Sequence, residues 1–124
     1  IFLNNIVKKN AIKIKKVLIL GFTFKENCED IRNTKIIDMY DFLIQNDCNV
    51  DVCDHIANPV DVKKMYGVNL VKKLPKKKYD GIIIAVSHKV FKNLDTKAYK
   101  AISKRDTIIF DIKNLYPKRN YLKI

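Results

Sequence analysis

The chain has 124 residues, and 25 Lys and Arg against 13 Asp and Glu give a formal net charge of +12. That length suits one domain with a single core, and a hydrophobic share of 48% excludes a disordered chain. No apolar run approaches the ~18 residues that cross a bilayer, so no membrane partner is expected.

Residues 1–13 are polar and basic with scattered Ile, and read as a linker or the end of a preceding helix; the domain proper takes 14–124. The chain starts at Ile1 without a signal-peptide pattern, so the expectation is a fragment of a longer soluble protein. Val17-Leu18-Ile19-Leu20 is a continuous apolar run closed by Gly21, the mark of a strand buried on both faces. A polar loop covers 22–33. Ile36, Ile37, Tyr40, Leu43 and Ile44 then repeat with helical period, and Asn33 or Thr34 is placed to cap that helix. A second strand runs Asn49 to Cys53 and stops at Asp54-His55. Pro59 suits the first turn of a helix reaching Tyr66, and Gly67 suits its end. Val68 to Val71 reads as a short third strand, and Gly81 to Val86, β-branched and apolar, as the strongest strand. Phe91 and Leu94 mark a helical turn, Asp95 caps a helix over Thr96–Ser103, and Thr107 to Phe110 form the fifth strand. The alternation predicts an α/β fold: a Rossmann-like doubly wound parallel sheet of about five strands in the order 3-2-1-4-5.

The cations are 22 Lys and three Arg (Arg32, Arg105, Arg119), whereas base-reading proteins lean on Arg. Ile, Lys and Asn make up 52 of the 124 residues, a bias that AT-rich coding DNA produces by itself. Most of the charge therefore reads as solvated surface, including Lys76-Lys77-Lys78. A basic nucleic-acid-binding module is the alternative, and no specific nucleic acid is expected. Cys28, Cys48 and Cys53 lack CxxC spacing, and neither His55 nor His88 completes a zinc pattern with them. Incidental thiols in a reducing cytoplasm fit best, with no metal.

In such a sheet, ligands bind outside the carboxyl ends of the strands, where strand order reverses. That edge gathers Gly21-Phe22-Thr23-Phe24-Lys25, Asp54-His55, Ser87-His88 and Asp111-Ile112-Lys113. The three glycines, Gly21, Gly67 and Gly81, are not spaced as G-x-G-x-x-G, so the domain is no self-sufficient dinucleotide binder. Lys25 and Arg32 flank the first loop instead. They suit phosphate oxygens; equally, they can pair with Glu26, Glu29 and Asp30 on the surface.

The stretch V-L-I-L-G-F-T-F-K-E-N-C-E-D-I-R-N-T-K, Val17 to Lys35, resembles the start of the carboxyl-terminal domain of the UDP-glucose/GDP-mannose dehydrogenase family. The closest form is that of bacterial enzymes oxidising UDP-N-acetylhexosamines for capsule or O-antigen polysaccharides. V-D-V-C-D, A-V-S-H-K and D-I-K-N-L resemble later landmarks, so the resemblance covers about residues 14–115. Glu29 stands where the family usually has Pro, and Cys53-Asp54-His55 stands for Tyr-Asp-Pro. The resemblance implies an oxidoreductase with an amino-terminal NAD domain, a central helical domain bearing the catalytic Cys, and this domain over the nucleotide. The whole enzyme would be a homodimer. It would oxidise the C6 hydroxyl of a UDP-hexose or UDP-N-acetylhexosamine to a carboxylate in two NAD-dependent steps, through a thiohemiacetal and a thioester. Phe24 and Lys25, and less directly Lys113, match positions that contact the UDP-sugar substrate; Arg32 matches a position reaching the NAD phosphates. Cys28 is not that nucleophile: it lies outside a G-G-x-C motif, among Glu26, Glu29 and Asp30, which disfavour a thiolate. His88 either lines the cleft or is a hydrogen-bonded structural residue.

Overall fold

A computed structural model describes residues 14–32 and 34–112. The proposed linker 1–13, Asn33 and Lys113 lie outside the described residues. Five strands form one parallel sheet: β1 (Lys16–Leu20), β2 (Asn49–Cys53), β3 (Leu70–Val71), β4 (Tyr79–Ile84) and β5 (Ser103–Asp111). Their order is β3-β2-β1-β4-β5, the doubly wound order expected. Four helices connect them: α1 (Ile36–Gln45), α2 (Pro59–Tyr66), α3 (Lys89–Lys92) and α4 (Thr96–Ala101).

The continuous apolar run of β1 reflects burial on both faces. Val17 and Ile19 point to one side, into a core completed by Leu43 of α1 and Val62 of α2. Leu18 and Leu20 point to the other, where Phe91 of α3 and Tyr99 of α4 cover them. Alternate side chains of a strand face opposite ways, so only an unbroken apolar sequence fills both layers. The α2 boundaries are set locally. Asn58 Oδ1 accepts from the Val60 and Asp61 amides, Pro59 occupies the first turn, and Gly67 closes the helix in the left-handed region.

Several boundaries differ from expectation, each for a visible reason. The β4 strand ends at Ile84 rather than Val86, because the Ala85 and Val86 amides both turn onto the Leu20 carbonyl, at 2.9 and 3.2 Å. The last helix ends at Ala101 and Ser103 joins β5, whose register against β4 is irregular between Tyr79 and Gly81. Of the predicted inner face of α1, Ile36, Ile37, Tyr40 and Leu43 pack on the core together with Met39, while Ile44 lies 44% exposed. The residue at the α1 N-cap is Lys35, without a side-chain cap, while Thr34 Oγ1 takes the Ile36 amide at 3.2 Å.

Candidate functional site

The carboxyl ends of β1, β2 and β4 converge at the point where strand order reverses. Gly21 leaves β1 with φ 103°, and its amide donates to the Cys53 carbonyl at 2.8 Å. A Cβ placed on Gly21 would lie 2.5 Å from Val86 Cβ. The glycine is thus required by a positive φ and by the close approach of the β4 exit.

Asp54, immediately after β2, is wholly buried. Its Oδ2 accepts from the amides of Phe22 (2.7 Å) and Thr23 (3.3 Å), and its Oδ1 from those of Ile56 (2.8 Å) and Ala57 (2.9 Å). The fifth partner is His88 Nε2 at 2.8 Å. Burial pushes the carboxyl up, but the bonds from His88, Ala57 and Phe22 outweigh it and hold its pKa down to about 2. The same carboxylate, added to burial, pushes the Cys53 thiol up to about 12.

His88 is equally buried, and its hydrogen bonds fix its tautomer. Nδ1 faces the Asn27 amide at 2.9 Å. A backbone N–H only donates, so Nδ1 keeps its lone pair and the ring proton sits on Nε2, aimed at Asp54. Thr23 Oγ1, also 3.2 Å from Nε2, donates its own proton to the Lys25 carbonyl at 2.9 Å. Of the two roles open for His88, the structure shows the hydrogen-bonded structural one.

Two hollows open beside this network. The smaller, about 240 Å³, lies at the reversal point and is lined by Thr23, Phe24, Lys25, Glu26, Thr34, Lys35, Ile36, Ala85 and Val86. Phe24 presents its ring to solvent there at 56% exposure. Lys25 and Lys35 are exposed, and neither forms an ion pair among the described residues. The amino terminus of α1 adds partial positive charge to that hollow. Aromatic surface beside spare cations suits a base and its phosphates. The larger hollow, about 800 Å³, lies between the β1 loop and α2, where Arg32 meets Asp61, Lys64 and Met65. Arg32 there pairs with Asp30, Nε to Oδ1 at 3.1 Å and Nη2 to Oδ2 at 3.3 Å. The surface-pairing alternative therefore holds for Arg32 but not for Lys25.

Phe24 and Lys25 thus share one hollow and Arg32 lines another. Lys35 and Asn27 were not singled out from the sequence. A cation just before a helix start is a readable sign of Lys35. Asn27 had none, because its partners are more than sixty residues away. Among the described residues no three His, Cys, Asp or Glu side chains gather as metal ligands, and no helix is long and apolar enough to cross a membrane.

Residues 18–118 match the UDP-glucose/GDP-mannose dehydrogenase family, UDP binding domain. The chain belongs to that family. Its relatives include UDP-N-acetyl-D-glucosamine 6-dehydrogenases from Salmonella typhi and Pseudomonas aeruginosa, each 39% identical. These alignments cover 93% and 81% of the chain but only 29% and 24% of the relatives. The chain accordingly spans under a third of the length of these family members. The UDP-N-acetyl-mannosamine dehydrogenase Cap5O from S. aureus superposes with a TM-score of 0.73 at 25% identity, over 98% of the chain and 29% of that structure. The UDP-binding domain of this family is thus recognisable here in both sequence and fold.

Proposed function

We propose that the chain supplies the UDP-sugar-binding surface of an NAD-dependent UDP-N-acetylhexosamine 6-dehydrogenase serving surface polysaccharide synthesis. One observation carries the reading: an exposed aromatic ring, two spare lysines and a helix amino terminus surround one hollow at the strand-order reversal. Phe24 and Lys25 contact the nucleotide there, Lys35 adds charge, and Lys113 is assigned to the same ligand by its sequence resemblance. Arg32 serves the NAD phosphates from the larger hollow, which requires its release from Asp30.

A whole NAD does not fit this chain alone. The Cβ space at Gly21 is filled by Val86 rather than left open for a pyrophosphate. The cofactor, when bound, accepts hydride, and this chain's part is one cationic contact to it. The cysteine nucleophile and most of the NAD site belong to amino-terminal and central domains, so the domain alone is without dehydrogenase activity. The complete enzyme is a cytoplasmic homodimer.

Titration with UDP tests the reading. The amides of Phe24, Lys25 and Lys35 should shift in NMR spectra at roughly millimolar UDP. No shift at those amides, or binding that any polyanion reproduces with a steep salt dependence, rejects it. In the complete enzyme, Lys25→Ala should raise KM for the UDP-sugar and Arg32→Ala should raise KM for NAD; the reverse pattern would exchange the two assignments.

A further inference from the structure

We propose that Asn27 and His88 form a clasp that positions the loop carrying Phe24 and Lys25, acting on the ligand surface without touching the ligand. This rests on the reading of the Phe24–Lys25 hollow given above.

The Asn27 backbone has φ 56°, a left-handed conformation that Asn adopts more readily than most residues. That conformation aims two groups of one residue at consecutive residues of the β4 exit. The Asn27 amide donates to His88 Nδ1 at 2.9 Å, and Asn27 Oδ1 accepts from the Lys89 amide at 3.0 Å. Lys89 opens α3, and no side-chain bond from His88 caps that helix, so Asn27 caps it from across the cleft. Two bonds to neighbouring residues fix direction as well as distance.

The loop is then closed from within. The Phe24 amide donates to the Asp30 carbonyl at 2.7 Å, and the Lys25 carbonyl takes the Thr23 hydroxyl. The Phe24 and Lys25 side chains project outward with little cover of their own, so the loop's shape is set from behind. His88 is itself held by Asp54, which carries the order of the sheet into the loop. A ligand that meets a preset ring and cation avoids the entropy of ordering them.

Side-chain length separates positioning from mere support. Gln carries an ε nitrogen, as His does, and so retains the bond to Asp54 but not the Nδ1 acceptor. Asn carries a δ oxygen, and so retains an acceptor for Asn27 but not the bond to Asp54. At position 27, Gly keeps the left-handed backbone without Oδ1, and Asp keeps both.

UDP titrations of this chain, with thermal unfolding of each variant, form the test. His88→Gln and Asn27→Gly should weaken UDP about five- to tenfold. Asn27→Asp and His88→Asn should stay within about twofold of the wild type, although His88→Asn unfolds at the lower temperature of the two His88 variants. Wild-type affinity in His88→Gln, or affinity falling in step with unfolding temperature across all four, overturns the proposal. If the unaltered chain shows no UDP shifts, the functional reading fails, and amide exchange at Phe24 and Asn27 tests the clasp by itself. Faster exchange in His88→Gln and Asn27→Gly alone supports it; equal exchange in all variants overturns it.

Discussion

Two aspartates tie the sheet together from opposite ends, and they do it differently. Asp54, at the carboxyl edge, is wholly buried and takes four backbone amides and a neutral imidazole. Asp80, at the amino edge of β4, takes the Lys15 and Lys16 amides at 3.0 and 2.9 Å and the Lys104 ammonium at 2.8 Å, with its side chain 15% exposed. The far edge commits a lysine to structure. The carboxyl edge satisfies its carboxylate with neutral donors, and Lys25 and Lys35 beside it form no ion pair among the described residues. A chain with 25 cations looks uniformly basic, yet its described cations divide between those held by a carboxylate, such as Lys104, and those without an ion pair, such as Lys25 and Lys35.

The contrast breaks most sharply on removal of each carboxylate. Asp54→Ala leaves five donors, four of them buried, without their acceptor and should cost about 3–5 kcal/mol in urea unfolding, enough to unfold a marginal domain. Asp80→Ala exposes its donors to water and should cost about 1 kcal/mol. Similar losses for the two would remove the distinction. Gly21→Ala attacks the carboxyl edge through sterics, by a positive φ and the Val86 collision, and should cost about 2–4 kcal/mol.

Acid should sharpen the comparison more gently. The Asp54 carboxyl titrates lower in the folded chain than in the unfolded one, so the folded state prefers it ionised. Its contribution, about 2 kcal/mol, is complete above about pH 4 and lost as pH falls through about 2. Asp80 is also lowered: burial pushes it up, and Lys104 and the two amides outweigh that. Stability of Asp54→Asn should therefore fall less steeply than wild type between pH 4 and 2; parallel curves would reject the assignment. The smallest effect belongs to Lys104→Met, about 0.5 kcal/mol and diminished by salt, with UDP binding untouched. Lys25→Met should do the opposite, leaving stability unchanged while weakening UDP.

Much of the fold was legible because apolar runs report burial directly. Val17–Leu20 and Gly81–Val86 filled two core layers, and the 3-2-1-4-5 order followed from the alternation of elements. Pro59, Gly67 and Asp95 were legible because helix ends have local chemistry. The β4 end was not, since Ala85 and Val86 are as apolar as the strand and only their bonding to Leu20 shows the turn. Phe24 and Lys25 lie beyond the carboxyl end of β1, where the sequence put them. The burial of Asp54 was not legible, and His88 stood between two roles, because polar residues after a strand read alike whether they face a ligand or bind one another. Their partners lie between 31 and 65 residues away in most cases, beyond any local pattern.

The three cysteines acquire a practical meaning from the same architecture. Cys48 and Cys53 are buried, and burial pushes both thiols up, so they stay protonated and sheltered from alkylating reagents. Cys28 is half-buried on the rim of the Arg32 hollow. Toward a maleimide, the folded chain should behave as a single-thiol protein, turning into a three-thiol protein on unfolding. A fluorophore attached at that one position would report directly on whatever enters the larger hollow, with no engineered residue needed to carry it.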